Sequence, residues 1–113
     1  MSTFSVSLLP QWRSIQDHVF TPICTVCHIN GGPNGLDLDA ANSYANLVNV
    51  NSTDFGATYK RVTPGNPDDS YLIMKLEDDP RIDGKQMPRN GPPYLTQVTI
   101  DVIRQWITDG ADP

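Results

Sequence analysis

Cys24 and Cys27 are the only cysteines in the chain, and His28 follows directly, so that residues 24–28 read C-T-V-C-H. No other feature narrows the fold as much. Two thiols this close can form thioethers to the two vinyl groups of one haem, and the adjacent imidazole then lies under the ring as a proximal iron ligand. Other uses of the pair make demands of their own. A thioredoxin-like dithiol sits at the start of a helix after a buried strand; here residues 10–20 have helical spacing and no β-branched run. A zinc site needs about four ligands, usually as two separated pairs, and His18 is the only other histidine. A bridge between Cys24 and Cys27 would close a tiny loop and add little chain-entropy stabilisation. The residues favour haem over zinc, a redox dithiol or a disulfide.

A core built around a prosthetic group suits the composition. The chain has 113 residues, 38% of them hydrophobic, with ten prolines and eight glycines. That length predicts one domain over residues 1–113 with a modest core, which buries only about two-thirds of its unfolded surface. The prolines and glycines fall mainly at 31–35, 64–67, 80–84 and 88–93, which distributes the loops along the chain. A haem would supply much of the missing apolar core.

The formal net charge is −5, which argues against nucleic acid as a partner, since that requires a basic face. Acidic runs occur at Asp68-Asp69 and Glu77-Asp78-Asp79. They read as a solvated surface or as a docking face for a basic partner. No apolar run reaches the length of a membrane span. The opening residues lack the basic and long apolar regions of a signal peptide. The chain is therefore read as a mature or excised piece, with residues 1–9 a flexible lead-in.

Hydrophobic spacing predicts four helices. The first covers Pro10 to Phe20, with Trp12, Ile15, Val19 and Phe20 on one face. Proline suits its first turn, and Thr21-Pro22 is expected to end it. A second runs from Asp39, a good N-cap, to Val48, with Ala41, Tyr44, Leu47 and Val48 facing inward. A third starts near Pro67 or Asp68 and ends near Glu77. A fourth runs from Thr96 to Asp109 on Ile100, Ile103, Trp106 and Ile107, closed by Gly110. Only residues 58–63 suggest an extended segment. The fold class is mostly α, with long loops wrapped around something.

Met74 lies in a helical apolar pattern and reads as core filler. Met87 lies in a loop of residues 84–93, G-K-Q-M-P-R-N-G-P-P, too polar and turn-rich to need a core methionine. Its thioether has a use there as the sixth ligand of a haem iron.

Further motifs follow in order: G-L-D-L at 35–38, R-V-T-P-G-N-P-D-D-S-Y-L at 61–72, M-P-R-N-G-P-P at 87–93 and I-R-Q-W-I-T-D-G-A at 103–111. With C-T-V-C-H, this series resembles the class I monohaem c-type cytochromes, of the bacterial module type found in larger secreted or periplasmic proteins. The resemblance covers nearly the whole chain from Trp12 onward. Two departures are visible: Tyr94 stands between the proline pair and Leu95, and the first helix lacks the glycine many members use where terminal helices cross.

The resemblance implies a cytochrome c fold and one covalent haem c held by Cys24 and Cys27. It implies His28 and Met87 as axial iron ligands, and one-electron transfer as the function. It makes Pro33 the candidate carbonyl for the second nitrogen of His28. Arg61, Tyr94, Trp106 and Arg89 are candidate propionate donors, Arg61 foremost because it lies in a shared motif. The implied setting is periplasmic or extracellular, with a redox partner protein such as a copper oxidase or a polysaccharide-degrading oxidoreductase. The competing expectation is a five-coordinate haem enzyme or a gas or peroxide sensor, for which His18 is the one spare histidine.

Overall fold

The computed structural model describes residues 8–26, 28, 36–52, 59–82, 84–88 and 94–113. Four helices stand out among them, joined by loops, with only isolated β-bridges between extended residues.

The first helical run, α1 (12–26), joins an α turn at Trp12–Ile15, a π segment at Gln16–Phe20, an α turn at Thr21–Ile23 and a 3₁₀ turn at Cys24–Val26. Thr21-Pro22 therefore does not end the helix, contrary to the sequence expectation. Pro22 brings no N–H to the ladder, and the π segment shifts the pattern just ahead of it: the Thr21 N–H donates to the Gln16 carbonyl, five residues back. Side chains hold Thr21 in the helical region that a following proline disfavours. Its hydroxyl accepts from Gln16 Nε2 at 3.0 Å, and its carbonyl accepts from the Thr25 hydroxyl. The expected inner face is present, with Ile15, Val19 and Phe20 buried and Trp12 half-buried. The lead-in is tied down at its end: Leu8 packs on the core, and the Leu9 N–H donates to Ser14 Oγ at 2.9 Å.

Gln16 is the polar centre of this region, 2% exposed. Its Nε2 donates to the Leu38 carbonyl at 2.8 Å, and its Oε1 accepts from the Ser43 hydroxyl. A buried amide is costly unless its groups are paired. Here the pairing joins α1 to the segment 38–43.

The second helix, α2 (Ser43–Leu47), is shorter than predicted. Asp39 sits at a turn before it, where its carbonyl accepts the N–H groups of Asn42 and Ser43, and Ala41 is exposed rather than inward. Tyr44 meets Trp12 edge-on with ring centroids 5.8 Å apart. Residues 59–63 form no continuous strand: bridges at Lys60 and Val62 are joined by single backbone bonds, such as the Ser52 N–H to the Tyr59 carbonyl at 2.8 Å and the Arg61 N–H to the Val50 carbonyl at 2.7 Å.

A 3₁₀ turn at Pro67–Asp69 precedes α3 (Tyr71–Glu77), and extended Ser70 separates the two. Ser70 Oγ is buried, accepting from the Thr63 N–H at 2.8 Å and donating to the Asn66 carbonyl at 2.9 Å. These bonds hold Ser70 off the helical path expected to run unbroken from 67. Met74 is 1% exposed and fills the core as its spacing implied.

The last helix, α4 (Gln97–Thr108), buries Ile100, Ile103, Trp106 and Ile107, and Thr96 caps it through its hydroxyl. Gly110, at φ 114°, closes it: its N–H donates to the Ile107 carbonyl, and the Ala111 N–H to that of Trp106. This is a Schellman closure, and its left-handed residue favours glycine.

The two acidic runs converge between α3 and α4. Arg104 donates to Glu77 and Asp68, while Arg81 donates to Asp79, Asp69 and the Asp68 carbonyl. Asp68, Asp69, Glu77 and Asp79 thus meet a counter-charge within the chain.

Candidate functional site

The turn Cys24–Val26 leads into His28, whose N–H donates to the Cys24 carbonyl at 2.9 Å. Cys24 is therefore one helical turn from the histidine, half-buried and packed against the core. Cys27 lies outside the described residues.

Three bonds orient His28. Besides the N–H contact, its carbonyl accepts from the Leu38 N–H at 2.8 Å, and Nδ1 lies 3.2 Å from the Leu36 carbonyl. A carbonyl only accepts, so Nδ1 carries a proton, and in the neutral ring Nε2 then holds the lone pair. The carbonyl at Nδ1 thus belongs to Leu36, in the G-L-D-L motif. Pro33, the expected source, lies outside the described residues. Burial holds the imidazole below its ordinary pKa, and the Arg61 guanidinium adds to this. The Leu36 bond and the Asp37 carboxylate oppose it. A neutral imidazole with a free Nε2 is the form that binds a transition metal.

Met87 is carried by the end of α3. Its N–H donates to the Lys75 carbonyl at 2.9 Å, and the Gln86 amide beside it donates to the Leu76 carbonyl at 3.0 Å. Both acceptors belong to the last turn of the helix, where carbonyls lack intrahelical partners. The Met87 side chain is half-buried and packs against the core. Leu36, Leu72 and Leu95 share that status with Cys24 and Met87. His28, Met87 and Cys24 are of the donor types a c-type haem would use: an imidazole, a thioether and a thiol one turn from the imidazole.

Among the candidate propionate donors, Arg61 is half-buried, its Nη1 donates to the Asn46 carbonyl at 3.0 Å, and its charge is felt at His28. Tyr94 is 39% exposed. Trp106 is buried and its indole N–H is committed to the Asp112 carbonyl at 2.8 Å, which makes it a core residue. Arg89 lies outside the described residues. His18 faces solvent on α1.

Among the described residues, no three His, Cys, Asp or Glu side chains come together as a metal-ion site. Nor is any described helix long and apolar enough to cross a membrane. Sequence reasoning missed the Leu36 carbonyl, Gln86 and Gln16. Gln16 left a signal, since it falls one turn after Trp12 on the apolar face. The other two act through backbone or cap contacts that no spacing announces.

The chain matches no family model, no curated protein and no solved structure.

Proposed function

We propose that this chain is a one-electron carrier, a class I c-type cytochrome domain with haem c bound through Cys24 and Cys27 and with His28 and Met87 as axial ligands. The observation that carries this reading is the orientation of His28. Its Nδ1 faces the Leu36 carbonyl, its backbone is held at both ends, and burial holds its pKa below the ordinary value, all at the histidine that closes the C-T-V-C-H segment. A bound haem supplies a single iron-centred redox couple, and the axial ligands tune its potential.

The chain's own residues then have distinct tasks. Leu36 fixes the tautomer and rotation of His28 and raises its basicity. The bonds from Gln86 and Met87 to the end of α3 hold the thioether in place. Arg61 offers a cation for an anionic propionate close to His28. With His28 and Met87 both committed to a bound haem, no position would be left for a substrate, which favours electron transfer over catalysis.

The partner in this proposal is a redox protein outside the cytoplasm, such as a copper oxidase or a polysaccharide-degrading oxidoreductase. Arg81 and Arg104 offset only two of the five charges of the acidic runs, so a partner with a basic patch is expected, and transfer that slows steeply with added salt would support charge steering.

The test is an optical spectrum of protein made in a host with cytochrome c maturation machinery. Sharp α and β bands on reduction, with colour retained through acid–acetone extraction, are expected. A far-red methionine band in the ferric form completes the prediction. Extractable or absent haem would overturn the covalent assignment, and high-spin bands would remove Met87 from iron.

A further inference from the structure

The last turn of α3 exposes a run of carbonyls whose helical partners have ended. The Met74 carbonyl is satisfied locally, by the N–H groups of Asp78 and Asp79, with Asp78 turning left-handed at φ 56°. The next two are satisfied from a distance by one dipeptide. Met87 gives its backbone N–H to Lys75, and Gln86 gives its side-chain amide to Leu76. One such bond fixes a distance, whereas two from consecutive residues also fix the direction in which the chain enters Met87. The backbone bond is open to almost any residue at position 87. The side-chain bond requires a donor of glutamine's length at position 86. α3 is itself anchored, through buried Ile73 and Leu76 and through the Glu77–Arg104 pair to α4.

We infer that Gln86 is a positioning residue for the Met87 thioether: its amide sets how firmly Met87 holds its place against a competing ligand. This rests on the proposed axial role of Met87. Without the amide, the Leu76 carbonyl loses its partner and the 86–87 segment keeps a single tether. The thioether is then more easily displaced while the core stays intact. Gln86→Glu keeps the shape and sets a carboxylate against a carbonyl, so it removes the donor and adds repulsion. Gln86→Ala removes the donor alone.

The test uses ferric holoprotein titrated with imidazole, followed by the far-red methionine band, together with the reduction potential and Tm. Both Gln86 variants are expected to keep the haem and to bind imidazole about five- to tenfold more tightly than the parent, the size of one lost hydrogen bond. Their potentials are expected to fall. Gln105→Ala, which removes an exposed bond to Asp109 at the far end of α4, leaves imidazole affinity unchanged. Variants that melt earlier yet bind imidazole like the parent would overturn the positioning role, as would an equal gain in Gln105→Ala. A parent without the far-red band would fail differently, removing Met87 from iron and this role with it.

Discussion

Replacing Arg104 by alanine tests how α3, and with it the Met87 segment, is held to α4. The guanidinium grips both oxygens of Glu77, with Nε at 2.8 Å and Nη2 at 2.9 Å, and reaches Asp68 through Nη1 at 2.8 Å. The Arg104 and Glu77 side chains are 27% and 22% exposed, whereas that of Asp68 is 77% exposed. The Asp68 contact is therefore in water and contributes about 0–1 kcal/mol. The two-pronged Glu77 contact is half-desolvated and charge-assisted, contributing about 1.5–3 kcal/mol before the entropy of ordering is subtracted. Arg104→Ala should cost about 2 kcal/mol at pH 7, or roughly 8 °C in Tm for a domain of this size.

Hydrogen bonding to Arg104 is the main cause that holds the Glu77 carboxyl below its ordinary range. A depressed carboxyl pKa stabilises the folded state fully above its unfolded value of about 4.3, and the benefit is lost as pH falls through the lower folded value. The gap between parent and variant should thus be flat above about pH 5 and close below about pH 4. Urea unfolding of both proteins across that range measures it, provided the m-values agree. A gap undiminished at pH 3 would mean that Arg104 acts through its aliphatic stem, and a gap near zero at pH 7 would mean that solvent screens the pair.

Three further outcomes are expected. Met87→Ala should let carbon monoxide bind ferrous holoprotein where the parent binds none; ready binding to the parent would defeat the electron-transfer reading. Gln16→Ala leaves the Leu38 carbonyl without its amide donor and the Ser43 O–H without its acceptor, although Ser43 Oγ still accepts from the Trp12 indole, and should cost about 1–3 kcal/mol by urea titration. Trp106→Phe leaves the Asp112 carbonyl without its indole donor; it should lower Tm by several degrees while leaving the reduction potential unchanged, whereas a shifted potential would return Trp106 to the haem environment.

The helices that face the core on strong 3.6-residue spacing were legible without coordinates. α4 has the four buried residues its period predicts, and α1 carries Ile15, Val19 and Phe20 inward. Such periodicity is a local consequence of burying one face. The core role of Met74 followed from the same pattern. The C-T-V-C-H segment and Met87 stood out because a cluster of ligand-type residues in polar or turn-rich surroundings has few structural uses.

Tertiary structure alone decided the rest, because the deciding bonds join distant residues. α1 runs on past Pro22 because Gln16, Thr21 and Thr25 bond along a π-shifted turn, and Gln16 is paired from Leu38 and Ser43. Asp68, Asp69, Glu77 and Asp79 of the acidic runs became a paired cluster only when Arg81 and Arg104 folded onto them. His28 takes its tautomer from the Leu36 carbonyl and Met87 its footing from the end of α3. A backbone carbonyl is present at every residue, so a sequence names the donor side chains but not the carbonyl each will find.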